Sequence, residues 1–404
     1  MGAEAHEPDG VDEAEGRGAG MKVLVVPTPS TGHLLAMVPF CWALRLAGHD
    51  VLVAARRDAT ATALRSGLQA ADLPELQVPM DELRKAVNPS MFPAPVFADR
   101  DQPSGQGMWH FAAQSWFGQA GQYLDAYVAV AKDWGADMVL SDPLATVGRA
   151  LGAALELPVL VHRWGIDPTG GPFAERTAAL AAESGTALAD PAAILDICPA
   201  SLQAPDAPAG TALRFIPFNG TGLLPEWHRN TKGRKRITVC LGGSTLSLTG
   251  PRPLLAILDA VRRVDAEVIV TLSAADRASV GALPDGVRVV EDVPLQLFLA
   301  DCDLLIHHGG STTGFTACRY GVPQLVLPQM FDQFDYARGI TRTGAGLAAV
   351  DAAAQADSGA LTDSIANLLR DSAFRDGAEQ VGRDILAAPS PHEVVARIVA
   401  PRAG

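Results

Sequence analysis

The sequence is short of several things, and each shortage removes a class of explanation. Cations are outnumbered: 32 Lys and Arg stand against 45 Asp and Glu, a formal net charge of −13 over 404 residues. Proteins that live on nucleic acid carry a basic face, so this balance argues against DNA or RNA as a partner while leaving room for a local phosphate site. Cysteine is sparse. Cys41, Cys198, Cys240, Cys302 and Cys318 show no CxxC spacing, and each lies in or beside an apolar run. That predicts buried thiols and no disulfide framework, which fits a reducing cytoplasm. No apolar run is long enough to cross a bilayer, so no membrane partner is expected. No basic-then-apolar leader is visible; residues 1–20 are acidic and rich in Gly and Ala and read as a disordered tail. There is no Walker motif, no Asp-x-Asp pair at a strand end and no His/Cys cluster with ligand spacing, so no bound metal is expected.

What is present is a long alternation of strands and helices. At roughly 100–200 residues per domain, the length predicts two domains. "KVLVVP" (Lys22–Pro27) is a continuously apolar, β-branched run, as expected of a buried parallel strand. The turn "TPSTGH", a helical stretch ending at Gly48 and the strand "DVLVAA" complete one βαβ unit, which implies a parallel sheet. "DMVLSDP" and "PVLVH" continue the pattern, while Leu73–Ser104 is Pro-rich, lacks periodicity and reads as a long loop. Pro, Gly and polar residues then mark a linker at 216–236. A second series starts at Ile237 with "ITVCLGG", "EVIVTLS", "VRVVED", "DLLIHHGG" and "QLVLPQ". The expected fold is α/β, with two Rossmann-like doubly wound lobes (21–215 and 237–404, the second ending in a terminal helix) facing across a cleft. Ligands of such sheets bind at the carboxyl ends of the strands.

The segment from Asp301 to Gly339 carries the densest chemistry. A strand ending in "LLI" is followed by His307, His308, Gly309, Gly310, Ser311, Thr312 and Thr313, and then by a helix. The free N–H groups and partial positive charge of a helix N-terminus suit a diphosphate, glycine lets the backbone approach it, and hydroxyls can donate to its oxygens. The same residues would also serve as an ordinary Ser/Thr helix cap. On an extended segment the two adjacent histidines point to opposite faces, so they do not share a metal.

This segment, with "GVPQLVLP" and the Asp-Gln pair beyond it, resembles the signature of the large GT-B family of nucleotide-sugar glycosyltransferases that includes plant secondary-metabolite and bacterial antibiotic enzymes. The resemblance implies that His307, Gly310, Ser311 and Thr312 hold the donor diphosphate and that Asp332 and Gln333 bond hydroxyls of the donor sugar. "VRVVEDVPLQLFLADCD" resembles the base-binding loop of the family and puts the nucleobase against Val293 and Leu295. Many relatives have Trp just before that Val-Pro pair; here Asp292 stands there, which leaves the stacking partner open. Gly243, Ser244 and Thr245 in "LGGSTLS" are candidates for a second phosphate contact.

In the first lobe, the resemblance makes His33 of "PSTGHL" the base that deprotonates an acceptor hydroxyl; imidazole suits the task because its pKa lies near neutrality. Asp142 of "VLSDPLA" is the best match for the carboxylate that orients it, with an Asp-Pro turn as the plainer alternative. Trp109, Phe111, Trp116 and Phe117, with Met91 and Phe92, mark a region for an apolar acceptor pocket. His110 and His162 are read as structural. "GHLLAMVPFCWALRLAGHDVLVAA" and "FIPFNGTGLLPEW" are most similar to bacterial enzymes that decorate polyketide antibiotics of the angucycline type, which generally use dTDP-deoxysugars. The expected activity is therefore an inverting, metal-independent transfer of a deoxysugar from dTDP to a polyketide, O- or C-linked, with no cofactor beyond the nucleotide-sugar co-substrate. Two rivals stay open: a GT-B sugar-nucleotide epimerase and a non-catalytic helper that binds a sugar nucleotide. The resemblance also leaves room for a homodimer and for an auxiliary protein, which some relatives need.

Overall fold

In a computed structural model of the chain, residues 20–75, 88–94, 108–228, 233–281 and 283–398 are described. All but Gly20 of the expected tail, and most of the Pro-rich stretch, lie outside them. Seven strands form the first sheet: β1 (Lys22–Val26), β2 (Asp50–Ala55), β3 (Gln69–Asp72), β4 (Met138–Ser141), β5 (Val159–His162), β6 (Ala193–Asp196) and β7 (Thr211–Ala212). Six form the second: β8 (Lys235–Cys240), β9 (Ala266–Leu272), β10 (Val287–Glu291), β11 (Leu304–His307), β12 (Gln324–Val326) and β13 (Gly346–Ala348). Every strand pair is parallel. The spatial orders are β3-β2-β1-β4-β5-β6-β7 and β10-β9-β8-β11-β12-β13, so the winding reverses between β1 and β4 and again between β8 and β11. Loops on either side of such a reversal part from each other and leave a crevice beyond the strand ends.

The central strands are apolar on both faces because helices cover both. Val23, Leu24, Val25 and Val26 have no exposed surface, and neither have Leu304, Leu305 and Ile306 of β11. One apolar cluster crosses from lobe to lobe: Phe215 meets Phe315 edge-on at 5.5 Å between ring centroids, and Tyr336 and Ile340 belong to the same cluster as Val25 and Phe40.

Three local findings differ from the sequence expectation. The aromatics Trp109, Phe111, Trp116 and Phe117, for which no regular element was expected, lie on a 27-residue helix, Met108–Trp134. Its buried residues Trp109, Ala113, Ala120, Tyr123, Tyr127 and Ala131 recur at helical spacing, a stripe hidden in the sequence by the Pro-rich stretch before it. β8 begins at Lys235, inside the expected linker. The terminal helix, Pro391–Ile398, returns to the first lobe and packs on the helix Thr31–Leu46, burying Val394 and Val395. The linker itself is pinned from both sides: Phe218 packs against Trp42 at 4.7 Å, and Gln296 accepts from the Asn219 N–H and donates to the Gly220 carbonyl.

Candidate active site

The β1–β4 reversal brings two titratable side chains together. β1 ends at Val26, the turn Pro27–Ser30 follows, and His33 lies in the first turn of the helix Thr31–Leu46. β4 ends at Ser141, registered beside Val26, so Asp142 emerges next to that turn. Its carboxylate is tied down: Oδ1 accepts from the Leu144 N–H at 2.8 Å, and Oδ2 lies 2.8 Å from His33 Nδ1. An ionised Asp142 holds the proton on Nδ1 and leaves Nε2 as the free base. Burial pulls the His33 pKa down, but the charge and hydrogen bond of Asp142, helped by Asp332, outweigh it and raise the net value above 6.5. The ring also lies against Trp164, with centroids 4.2 Å apart.

The second reversal brings backbone together instead. After β8 comes Gly242 at φ +68°, and after β11 comes Gly309 at φ +94°, both in the left-handed region that glycine adopts without strain. Gly310 caps the helix Ser311–Arg319 with no side chain bonded to the cap, so its first N–H groups carry no capping side chain. Gly242, Gly243, Thr312 and Thr313 line a cavity of about 640 Å³ that continues past Asp276 to Asp292, Val293, Pro294 and Leu295. None of its lining residues is aromatic among those described; Leu35, Leu241, Leu246, Leu272, Val293, Pro294 and Leu295 are among its apolar lining. Asp292, where an aromatic ring was missed in the sequence, is itself at φ +53°.

A second cavity, of about 530 Å³, opens on the first lobe and is lined by His33, Trp109, Ala112, Trp116, Leu144 and Trp164, closed from the second lobe by Leu248, Phe331 and Asp332. Thr31 lines both cavities, so they meet beside His33. Arg57, Asp292 and Phe331, all non-glycine residues at positive φ, line one or other cavity. Such strain persists where the surroundings hold it in place.

Several expected site residues are placed otherwise. His307 has no exposed surface; its Nε2 bonds Gln324 and its Nδ1 accepts from the Gly309 N–H, so both ring nitrogens are spent inside the lobe. Burial lowers its pKa to about 3. His308 takes the opposite face: a Cβ on Gly242 would lie 2.8 Å from its ring, and one on Gly310 2.6 Å. Burial lowers its pKa to about 4. Ser311 is buried against the first lobe and accepts from the Ile166 N–H at 3.2 Å. Gln333 is also buried, its amide oxygen accepting from the Gln329 and Met330 N–H groups and its nitrogen donating to Thr245. Asp332 faces the second cavity, receives a long hydrogen bond from Trp164 Nε1 at 3.4 Å, and has a pKa raised to about 6 by burial, against the pull of His33. Phe111 points to solvent, 65 % exposed, because it sits across the helix from Trp109. Phe117 is buried but lines neither large cavity. The Ser244 side chain lies outside the described residues. Trp164, Leu248, Phe331 and Thr31 were not anticipated; Trp164 just beyond the strand "VLVH", Thr31 in the turn before His33 and Phe331 beside Asp332 had positional signals, and Leu248 had none.

No helix among the described residues is long and apolar enough to cross a membrane, and no group of three or more His, Cys, Asp or Glu among them could hold a metal ion.

Comparisons with known proteins agree with this architecture. Residues 42–242 and 255–400 match the N- and C-terminal domains of the family described as erythromycin biosynthesis protein CIII-like. The chain is 35 % identical over 335 residues to L-demethylnoviosyl transferase of Streptomyces niveus, covering 81 % of this chain and 84 % of that protein. It is 32 % identical to the elloramycin glycosyltransferase ElmGT of Streptomyces olivaceus, covering 94 % and 97 %. Structures of the spinosyn rhamnosyltransferase SpnG, including complexes with thymidine diphosphate and with spinosyn aglycone, superpose with a TM-score of 0.86 at 41 % identity, covering 94 % of this chain and all of that one. With two parallel α/β lobes, a cleft between their switch points and this similarity along nearly its whole length, the chain belongs to the erythromycin biosynthesis protein CIII-like family of GT-B antibiotic glycosyltransferases.

Proposed function

We propose that this chain moves a deoxysugar from dTDP to an apolar, polycyclic polyketide acceptor with inversion at the anomeric carbon and without a metal ion. The observation that carries the reading is the meeting of two unlike cavities at His33: one walled by glycines, hydroxyl residues and aliphatic side chains without an aromatic ring, the other lined by three tryptophans and Phe331. The relatives are named as deoxysugar transferases, and a structural neighbour binds thymidine diphosphate, which supports the donor class.

The acceptor lies against Trp109, Trp116 and Trp164, with its nucleophile at His33 Nε2. His33 takes the proton of the acceptor hydroxyl, and the oxygen attacks the anomeric carbon as the bond to the β-phosphate oxygen breaks. Asp142 fixes the ring and stabilises the imidazolium. For a phenolic acceptor the same pair ionises the phenol; its ring carbon then attacks as the bond to the β-phosphate oxygen breaks, and that carbon gives up its proton to restore the aromatic ring of the C-linked product. The leaving diphosphate accepts from the open N–H groups at Gly310–Thr313 and from the Gly242–Gly243 turn, and fixed donors of this kind neutralise developing charge without reorganising. His308 is the imidazole at this site; its long Nδ1 contact of 3.5 Å to the Cys240 carbonyl leaves Nε2 toward Gly310. The base rests on the aliphatic wall Val293–Leu295. Asp332, ionised above about pH 6, accepts from a sugar hydroxyl, and Gln333 holds the loop that presents it. The large acceptor cavity beside His33 is what an epimerase would not need.

The test is calorimetry with dTDP and UDP on the wild type, His308→Ala and His307→Gln, followed by a screen of dTDP-deoxysugars against polyketide aglycones. Tight dTDP binding, weakened about tenfold in His308→Ala, is expected. His307→Gln should lose thermal stability and keep its affinity for dTDP. A wild type that binds neither nucleotide would overturn the reading.

A further inference from the structure

Ser311 stands where a phosphate ligand was expected, yet its hydroxyl faces the other lobe. It is 3 % exposed and accepts a hydrogen bond from the Ile166 backbone. The neighbouring Gly165 fits so closely that a Cβ there would lie 2.0 Å from Ser311 Cβ and 2.3 Å from its oxygen. On the other side of Gly165, Trp164 lies against the His33 ring and donates to Asp332 of the second lobe. The segment is anchored from below: Arg163, wholly buried, binds Asp167, Asp196 and the Pro208 carbonyl. Three consecutive residues thus touch the base, the sugar-facing carboxylate and the first residue of the helix that faces the nucleotide cavity.

We propose that Ser311 and the Trp164–Ile166 segment form a latch between the lobes that holds His33 in register with the donor, Ser311 acting as a positioning residue and not as a phosphate ligand. The proposal rests on the transferase reading above only for its kinetic consequence. A latch closed by two hydrogen bonds, one of them long, and one glycine-to-serine fit is narrow in its tolerance. An ångström of slip between base and donor is enough to cost about 10²-fold in rate.

The experiment compares Ser311→Ala, Ser311→Gly, Gly165→Ala and the double variant Gly165→Ala/Ser311→Gly with the wild type. Amide exchange at Ile166 is read with and without dTDP. Affinity for dTDP is read by calorimetry, and turnover with the donor and aglycone pair that reacts in the screen. Ser311→Ala should speed exchange at Ile166 about fivefold, keep the dTDP Kd within about threefold, and lower kcat about tenfold with donor KM unchanged. Gly165→Ala should lower kcat about 10²-fold, and the double variant should recover to within about threefold of Ser311→Gly, because the hole relieves the bump. A phosphate ligand would behave differently: Ser311→Ala would weaken dTDP tenfold or more and leave Ile166 exchange unchanged, and that result overturns the latch. So does a Gly165→Ala protein as active as the wild type, or a double variant no better than Gly165→Ala. If the wild type binds no dTDP, the transferase reading fails, but exchange at Ile166 in the free protein still decides whether the latch exists.

Discussion

The two sheet reversals gather opposite kinds of group with the same topology. At β1–β4 the functional groups are side chains: a histidine and a carboxylate 2.8 Å apart, both held by partners and both largely buried. At β8–β11 they are mainly backbone: two glycines at positive φ, a helix start without a capping side chain, and one imidazole wedged between the loops. A proton-transfer site depends on the pKa and orientation of particular atoms, so substitution of one side chain destroys it. An anion site built from N–H groups spreads its energy over several donors, so it fails only when the backbone is pushed aside. Stability of the nucleotide complex and rate of the chemical step should therefore separate cleanly by lobe.

The largest effects should fall on the first reversal. His33→Ala should lower kcat by about 10²–10⁴-fold and leave the dTDP Kd unchanged, as read by product formation and calorimetry. Asp142→Asn should cost about 10²-fold or more and also move the pH profile. The base works when neutral, so activity rises as pH climbs through the His33 pKa, which Asp142 holds above 6.5. Removal of the carboxylate favours the neutral ring, lowers that pKa and moves the acid limb of kcat/KM to lower pH. An acid limb that stayed in place would assign it to another group, Asp332 first.

A smaller and opposite effect is expected at the second reversal. Gly310 has an ordinary φ of −62°, so alanine is not strained there, but its Cβ would meet His308 Nε2 at 2.6 Å. Gly310→Ala should displace the ring, weaken dTDP about tenfold and lower kcat at saturating donor far less than His33→Ala does. An equal loss in both would mean that the lobes do not divide the work as their geometry suggests.

Legibility in the sequence followed the same division. Parallel strands buried on both faces show as unbroken apolar runs, and β1, β2, β5, β8, β9 and β11 were all visible that way. His33 and Asp142 were picked out by the family resemblance together with their places at strand ends, and the fold brings the two side chains within 2.8 Å. The glycine loops were visible as pattern, but which side chains beside them face the cleft was not. Alternation along β11 already required His307 and His308 to face opposite ways; only the packing of Gln324 and Tyr336 beneath the sheet, seventeen and twenty-nine residues further on, decides which one turns inward. Ser311 and Gln333 were misplaced for a related reason. The Ser311 hydroxyl is spent on Ile166, a partner that only the approach of a distant segment supplies, while the Gln333 amide oxygen turns back on the local Gln329 and Met330 N–H groups and its nitrogen reaches the distant Thr245.

The weakest expected effect tests the acceptor side of the comparison. On the helix Met108–Trp134, Trp109, Ala112 and Trp116 share the face that lines the apolar cavity, whereas Phe111 projects into solvent. The four aromatics are close in sequence, so a purely regional view would weight them equally, and helical geometry does not. Trp116→Ala should raise the acceptor KM several-fold, about 1 kcal/mol of lost contact for a half-buried ring, with donor KM unchanged. Phe111→Ser should leave both KM values and the thermal midpoint nearly as they are, since an exposed site away from any partner shifts stability by about 0.5 kcal/mol or less. If instead Phe111→Ser raised the acceptor KM as much as Trp116→Ala, the acceptor would have to extend over the outer face of this helix, and the boundary of the cavity drawn from His33 outward would be wrong.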